Sequence, residues 1–323
     1  MKCAGCYKEG YSDFCPRCRK LLFDGANVSS ILPFDAPGTW NFEVYHEKSK
    51  RLSISGVQLK YSLKLEGTTL SMTDYDGAYI LKPIPPSHIV LPDQAPENEH
   101  LTMQIARQIF KIDTAANALV RFADGAPAYI TKRFDRRPDG TRNLQEDFAQ
   151  ISQRSRQSHG PNFKYEGSYE EIGKLIRQYV AASTPALESY FKLLVFNYLF
   201  SNRDAHLKNF SLYNTGAEYK LTPAYDLMST VLHTPLESDL ALDLYEGDIF
   251  HEYYQTFGYY GKANFLELAA RLGIMDNRAL RIIIRLTDKP TKVEDMIANS
   301  FLTPEARSSY SRAFQDKLHR LTT

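Results

Sequence analysis

The stretch SNRDAHLKNF, residues 201 to 210, places two residue types that suit chemistry on substrates close together. Asp204 can accept the proton of an attacking hydroxyl, and Asn209, five residues later, can offer a carboxamide oxygen to a magnesium ion. This D-x-x-x-x-N spacing is the one that phosphoryl-transfer loops use to set a base beside a metal ligand. Asp226, in PAYDLMST, supplies a second carboxylate for magnesium, and Lys82, at the end of AYILK, supplies a cation for phosphates. Glu97 and Glu99 open the following helical stretch and are candidate ion-pair partners for Lys82. Each residue alone has an ordinary reading: a polar loop after a buried helix, a solvated strand-end lysine, first-turn acids favoured by the helix dipole, a packed histidine, a turn acid. The order of the pieces along the chain is what points to phosphoryl transfer from a nucleotide.

No G-x-G-x-x-G and no G-x-x-x-x-G-K precedes Lys82, and DLM stands where D-F-G would. The element covering the phosphates then falls to RLSISGVQLK, where amides and hydroxyls of Ser53, Ile54, Ser55 and Gly56 can donate to phosphate oxygens. The competing reading of this stretch is a serine-containing β-hairpin.

All four cysteines lie in the first 18 residues, as Cys3-x-x-Cys6 and Cys15-Pro-Arg-Cys18. Two such pairs suit a tetrahedral zinc held by four thiolates, a closed structural site with no position open for catalysis. Two disulfides are the alternative, disfavoured in a reducing compartment.

The elements that must position these groups follow from the pattern. The composition, 43% hydrophobic and 24% charged over 323 residues with a net charge of +1, is that of a globular chain, and no global field recruits nucleic acid or anionic lipid. No run approaches a membrane-spanning length and the N-terminus lacks an apolar signal core, so the expected location is the cytoplasm. Residues 1–24 read as the four-cysteine module, 25–39 as a Gly/Pro/Ser-rich linker, 40–137 as a sheet-rich lobe with one helix, and 138–323 as a helical lobe with the catalytic loop. Short strands are expected at Phe42–Tyr45, Leu52–Leu59, Tyr61–Leu65, Thr69–Met72, Ala78–Leu81, Ala118–Phe122 and Ala128–Lys132, with Gly56, Gly67, Asp76-Gly77 and Asp124-Gly125 as turns. Leu101, Ile105, Ile109 and Phe110 set a helical face in ENEHLTMQIARQIF. From about Asn143 the pattern is helical: Ser168-x-x-Glu171 is a capping box, Thr184-Pro185 opens an apolar central helix, and Thr303-Pro304 opens the last one. A hairpin turning at Asn214-Thr215-Gly216 interrupts the helices. The fold expected is α+β, two lobes with a cleft between them.

The segments SISGVQLK, YILKP, NEHLTMQIA, KRFDR, LQEDFAQ, NRDAHLKNFSLY and LTPAYDLMS, in this order, resemble the HipA-type serine/threonine kinases, toxins of bacterial toxin–antitoxin systems. The resemblance implies a two-lobed protein-kinase-like fold, with the zinc-knuckle module as an addition. It implies Asp204 as catalytic base, Asn209 and Asp226 as magnesium ligands, and Lys82 on the ATP phosphates. Lys132, Arg133, Phe134, Asp135 and Arg136 would form the hinge at adenine and ribose, with His206 and Lys208 at the phosphate end. Ser53 matches the autophosphorylated serine, and Ser55 stands where many members have alanine. The short region before the kinase core is similar to the short-form kinases called HipT, whose missing subdomain is a separate small protein.

The function this implies is an ATP- and Mg-dependent kinase acting on a protein, with an aminoacyl-tRNA synthetase as the target class, a HipB-like DNA-binding antitoxin as partner, and autophosphorylation at Ser53 or Ser55 as regulation. Two other readings stay open: a kinase of a small molecule or lipid headgroup, and a kinase-like binding module that docks antitoxin or nucleic acid through its cysteine knuckles.

Overall fold

A computed structural model describes residues 1–37, 59–85, 89–137, 140–235 and 238–323. Ser53, Ile54, Ser55 and Gly56, the strand expected at Phe42–Tyr45 and most of that at Leu52–Leu59 lie outside the described residues.

Five antiparallel strands, β1 (Tyr61–Glu66), β2 (Thr69–Met72), β3 (Tyr79–Pro83), β4 (Asn117–Arg121) and β5 (Pro127–Lys132), form one sheet in the order β2-β1-β3-β5-β4. Gly67 and Gly125 take positive φ at the β1–β2 and β4–β5 turns, as the dipeptide signals require. Asp76-Gly77 does something different. The chain crosses β1 between β2 and β3, and Gly77 is needed for close approach, since a Cβ there would lie 2.8 Å from the Leu63 carbonyl oxygen.

Helix α1 (Pro16–Phe23) belongs to the cysteine module, which is built into the sheet. The Leu119 amide donates to Ala4 O at 3.0 Å, and Phe14, Leu22 and Phe23 share an apolar core with Leu63, Leu81, Val120 and Ile130. Residues 25–37, expected as linker, lie along β4: Leu32 donates to Arg121 O at 2.7 Å, and Val28 and Leu32 are buried. The Gly/Pro/Ser content reflects turns here, while two apolar residues in every few anchor the segment.

Helix α2 (Ala95–Gln104) continues into a π turn at Ile105–Ile109. The spacing predicted one apolar face, but every residue of α2 is buried. The helix lies between the sheet and the C-terminal helices, so its polar face needs partners. Asn98 exchanges two hydrogen bonds with the Ser229 backbone, at 2.9 and 3.1 Å, and the Thr102 and Tyr310 hydroxyls meet at 2.9 Å.

The helical half contains a second, three-stranded sheet of β6 (Gln145–Asp147), β7 (Ser211–Asn214) and β8 (Tyr219–Leu221). The β7–β8 hairpin matches the expected one. Strand β6 corrects the reading that the chain turns helical at Asn143: its three polar residues carry no alternation, and only pairing with β7 makes them a strand. Asp147 then caps α3 (Phe148–Ile151) through a capping box with Gln150.

The Ser168–Glu171 capping box opens α4 (Tyr169–Tyr179) as expected. Helix α5 (Ser183–Leu199) starts without a side-chain cap and is central to the larger core. Helices α6 (Lys262–Arg271), α7 (Asp276–Thr287), α8 (Pro290–Ala298) and α9 (Pro304–Thr322) complete it, the last capped by Thr303. No helix among the described residues is long and apolar enough to cross a membrane.

Candidate active site

A cleft of about 780 Å3 lies between the five-stranded sheet and the loop after α5. Lys82, Asp204, Asn209 and Asp226, 144 residues apart at the extremes, all line it.

Lys82 sits opposite Tyr129 in the β3–β5 register, its ammonium 5.3 Å from that ring. Nζ donates to Glu99 Oε1 at 2.6 Å and to Asp226 Oδ1 at 2.5 Å. Burial alone would favour neutral Lys82, but the Asp226 and Glu99 carboxylates outweigh it and hold its pKa above the usual lysine value. Burial pushes the Glu99 carboxyl up, and Lys82 only partly offsets this. Of the two acids, Glu99 is therefore the partner of Lys82. Glu97, two residues earlier and so on the opposite side of the helix, is buried elsewhere, and burial raises its pKa to about 7.

Asp226 follows β8 with φ of 56°, a left-handed conformation uncommon for a non-glycine residue and of the kind that collects at functional sites. Its Oδ2 accepts from Lys60 at 3.3 Å. Burial opposes its charge, yet Lys60 and Lys82 outweigh burial and hold the carboxyl well below the usual range. Two ammonium groups thus meet one carboxylate.

Asp204 protrudes from the loop, its side chain 39% exposed. The Tyr165 hydroxyl donates to Asp204 Oδ1 at 2.6 Å, and His206 Nε2 stands 3.8 Å from the same oxygen. Burial lowers the His206 pKa to about 4, so the imidazole beside Asp204 is neutral near pH 7. Backbone bonds from His206 to Asp204 O at 2.8 Å and from Asn209 to His206 O at 2.9 Å shape the loop and turn Asn209 and Lys208 into the cleft. Arg203 pairs with Asp239 at 3.3 Å, which also takes Lys317 at 2.6 Å and Arg320 at 2.7 Å from α9.

The KRFDR segment lines the same cleft with its side chains already committed. Lys132 Nζ reaches both oxygens of Asp24 at 2.7 Å. Arg133 makes a two-pronged bond to Asp135, at 2.9 and 2.6 Å, and holds that carboxyl below its usual range although burial works against it. Arg136 bonds Asp76, and Phe134 packs on Tyr225 with ring centroids 5.7 Å apart.

Among the residues at the cleft, sequence reasoning did not single out Lys60, Asp147, Lys164 or Tyr165. Lys60 and Asp147 lie inside SISGVQLK and LQEDFAQ, segments quoted only as family markers. Lys164 and Tyr165, in PNFKYEG, carried no signal, because only the fold brings that short helical turn to Asp204.

The four cysteine sulfurs converge, all within 4.8 Å of one another, and none is in a disulfide. Gly5 N and Cys15 N donate to Cys3 Sγ at 3.4 and 3.2 Å. Four converging sulfurs with amide donors aimed at one of them make a donor set that fits a soft tetrahedral cation.

The family model for the HipA-like C-terminal domain matches residues 52–293. A protein of Haemophilus influenzae named a putative kinase is 28% identical over 91% of this chain and 88% of its own length. The putative kinase Y4dM of Sinorhizobium fredii is 35% identical over 60% of the chain and 48% of its own length. The serine/threonine-protein kinase toxin HipA of Shewanella oneidensis is 27% identical over 66% of the chain and 51% of its own. The chain thus spans most of the Haemophilus relative and about half of the other two. In shape it is similar to HipA in a Shewanella oneidensis complex of HipA, HipB and operator DNA, with TM-score 0.64, 22% identity, and 84% of this chain and 65% of that one covered. It is also similar to the Helicobacter pylori proinflammatory kinase CtkA, with TM-score 0.50, 12% identity, and 81% and 93% covered.

Proposed function

Because the chain belongs to the HipA-like C-terminal domain family, we propose that it is an ATP- and magnesium-dependent serine/threonine protein kinase acting as a toxin. The observation that carries the reading is the meeting of Lys82, Glu99 and Asp226 across a cleft that also holds Asp204 and Asn209. Phosphoryl transfer asks the protein mainly for position and charge, and these residues supply both.

In this reading Asp204 accepts the proton of the attacking serine or threonine hydroxyl, at the oxygen to which Tyr165 now donates. Lys82, fixed by Glu99, holds a phosphate oxygen, and Lys60, Lys208 and neutral His206 flank the phosphate end. Asn209 and Asp226 would hold magnesium, an oxygen donor set suited to a hard cation; magnesium when bound supplies charge neutralisation on the phosphates. Residues Lys132 to Arg136 border the place for adenine and ribose. Cys3, Cys6, Cys15 and Cys18 would hold one structural zinc.

The toxin role and a HipB-like antitoxin extend the reading by similarity to relatives so named; an aminoacyl-tRNA synthetase as target and a small separately encoded partner protein belong to it through the resemblance of the sequence segments alone. Autophosphorylation at Ser53 or Ser55 belongs to it as well; phosphate there would add about −1.5 to −2 charge beside the ATP phosphates and switch transfer off.

Purified protein incubated with labelled ATP and a cell lysate tests the proposal. A discrete labelled protein band, absent with Asp204→Asn, supports it. Label only in small molecules, or no transfer, overturns it, and unmodified Ser53 and Ser55 by mass spectrometry in active protein removes the regulatory part.

A further inference from the structure

We propose that the four-cysteine module is a metal-dependent clamp on helix α2, holding Glu99 in register with Lys82. The bound ion would be a soft divalent cation of the zinc class. The clamp is argued from the geometry of the module alone, and only the activity arm of its test rests on the kinase reading.

The module grips the kinase-like core through residues the metal site itself shapes. The first knuckle turns back on itself, with Cys6 N and Tyr7 N both donating to Cys3 O, at 3.3 and 3.0 Å. Tyr7 leaves this turn with φ of 65°, a left-handed conformation that a tyrosine adopts only when its surroundings impose it. The turn drives the Tyr7 ring into the large core, where its centroid lies 5.1 Å from His100 and 5.3 Å from Phe301. His100 is the next residue after Glu99 on α2, and Phe301 stands just before α9.

Two further contacts hold the same helix. Gln108, in the π turn that ends α2, donates to Cys6 O at 3.2 Å. His100 Nδ1 meets Asn117 Oδ1 at 3.0 Å at the start of β4, the strand whose Leu119 amide binds Ala4 O. The module therefore touches α2 at two levels and also the strand behind it. On its other side α2 is tied to Ser229 through Asn98. Glu99 is held between these supports.

Phe14, Leu22 and Phe23 tie the second half of the module to the sheet, but the first knuckle is held by backbone bonds and by Cys3 and Cys6, so losing an ion that joins these to Cys15 and Cys18 would loosen it. Losing the knuckle turn removes the constraint that places Tyr7, which opens a cavity beside His100. A fully buried helix with a buried carboxylate tolerates such a gap poorly, because packing and hydrogen bonds alone keep its polar groups satisfied.

The test uses the full chain, with zinc added to reduced protein and removed by a thiol-reactive mercurial followed by reduction. One zinc per chain, abolished in Cys3→Ser/Cys6→Ser, is expected. On removal, amide exchange across residues 97–104 and 117–121 should rise by about tenfold or more while α7 stays protected, as local rather than global opening requires. Tyr7→Ala should keep the zinc and still show the faster exchange in α2, separating the clamp from the metal site. If the kinase assay works at all, both zinc-free protein and Tyr7→Ala should lose transfer by about tenfold or more, chiefly in kcat. Failure of reduced protein to take up zinc overturns the site. Unchanged α2 exchange in zinc-free protein or in Tyr7→Ala overturns the clamp, whatever the kinase assay shows.

Discussion

Lys82 Nζ, on the third strand of the sheet, lies 2.5 Å from Asp226 Oδ1, and the two residues are 144 positions apart. The same ammonium is 2.6 Å from Glu99, so one buried cation ties the sheet, helix α2 and the segment after β8 into one unit. Removing either end should be felt by the whole cleft.

Lys82→Met leaves Glu99, 1% exposed, as a carboxylate with no cation. Breaking a buried pair from one side typically costs about 3–5 kcal/mol, whereas replacing both partners with apolar residues is often neutral. Thermal melts should show a large loss for Lys82→Met and recovery of only part of it in Lys82→Met/Glu99→Leu, since Asp226 still lacks Lys82. Nucleotide-dependent transfer should be absent from both.

Asp204→Asn should fold and bind ATP normally yet transfer phosphate about 10²–10⁴-fold more slowly, since a carboxamide cannot take the hydroxyl proton. Tyr165→Phe tests the same oxygen from the other side. In the proposed mechanism the Tyr165 hydroxyl holds the position an acceptor hydroxyl would take, so its removal should raise kcat/KM for the protein substrate a few-fold. A drop instead would mean that Tyr165 orients Asp204 for the reaction.

Glu97 offers a pH signature outside the catalytic cluster. Its folded pKa, about 7, lies above the ordinary value of 4.5 because burial disfavours the charge. The unfolded chain therefore loses this proton first, and the folded state loses stability as pH rises from 4.5 through 7. Glu97→Gln should be the more stable protein at pH 8, by up to about 3 kcal/mol, and the advantage should vanish near pH 4. Paired melts at the two pH values measure it.

Asp239→Ala should strand Lys317, whose side chain is 2% exposed, and remove the carboxylate partner of Arg203. A loss of roughly 3 kcal/mol is expected, the low end for a buried pair because Asp239 is partly solvated. Chemical denaturation followed by fluorescence would show it, and an unchanged midpoint would count against the network.

Gly5→Ala bears on the cysteine cluster. A Cβ at position 5 would lie 2.8 Å from Cys18 Sγ, closer than real contacts allow, so the Cys18 side chain would have to shift away from its place in the cluster. Zinc content by elemental analysis should fall well below one per chain.

Much of the site is legible in the chain order because its chemistry is local. Asp204 and Asn209 sit on one loop, Asp226 follows a short hairpin, and the paired cysteines announce their own cluster. The strands around Lys82 are equally local, marked by alternation and by the turn residues Gly67 and Asp124-Gly125. What sequence spacing could not decide is which of two acids on a helix turns toward a lysine. Glu97 and Glu99 look alike in the sequence, and only the packing of α2 against the sheet and the C-terminal helices sends Glu99 to Lys82 and leaves Glu97 buried away from it. The same holds for β6, which is a strand only because β7 is there to pair with it, and for Tyr165, which meets Asp204 from 39 residues away. It holds too for the cysteine module, an isolated knuckle in the sequence but part of the sheet core once Phe14, Leu22 and Phe23 find Leu63 and Leu81. Residue type and short-range spacing encode what a group can do. Which groups meet depends on burial shared among distant segments, and that is set only when the chain has packed.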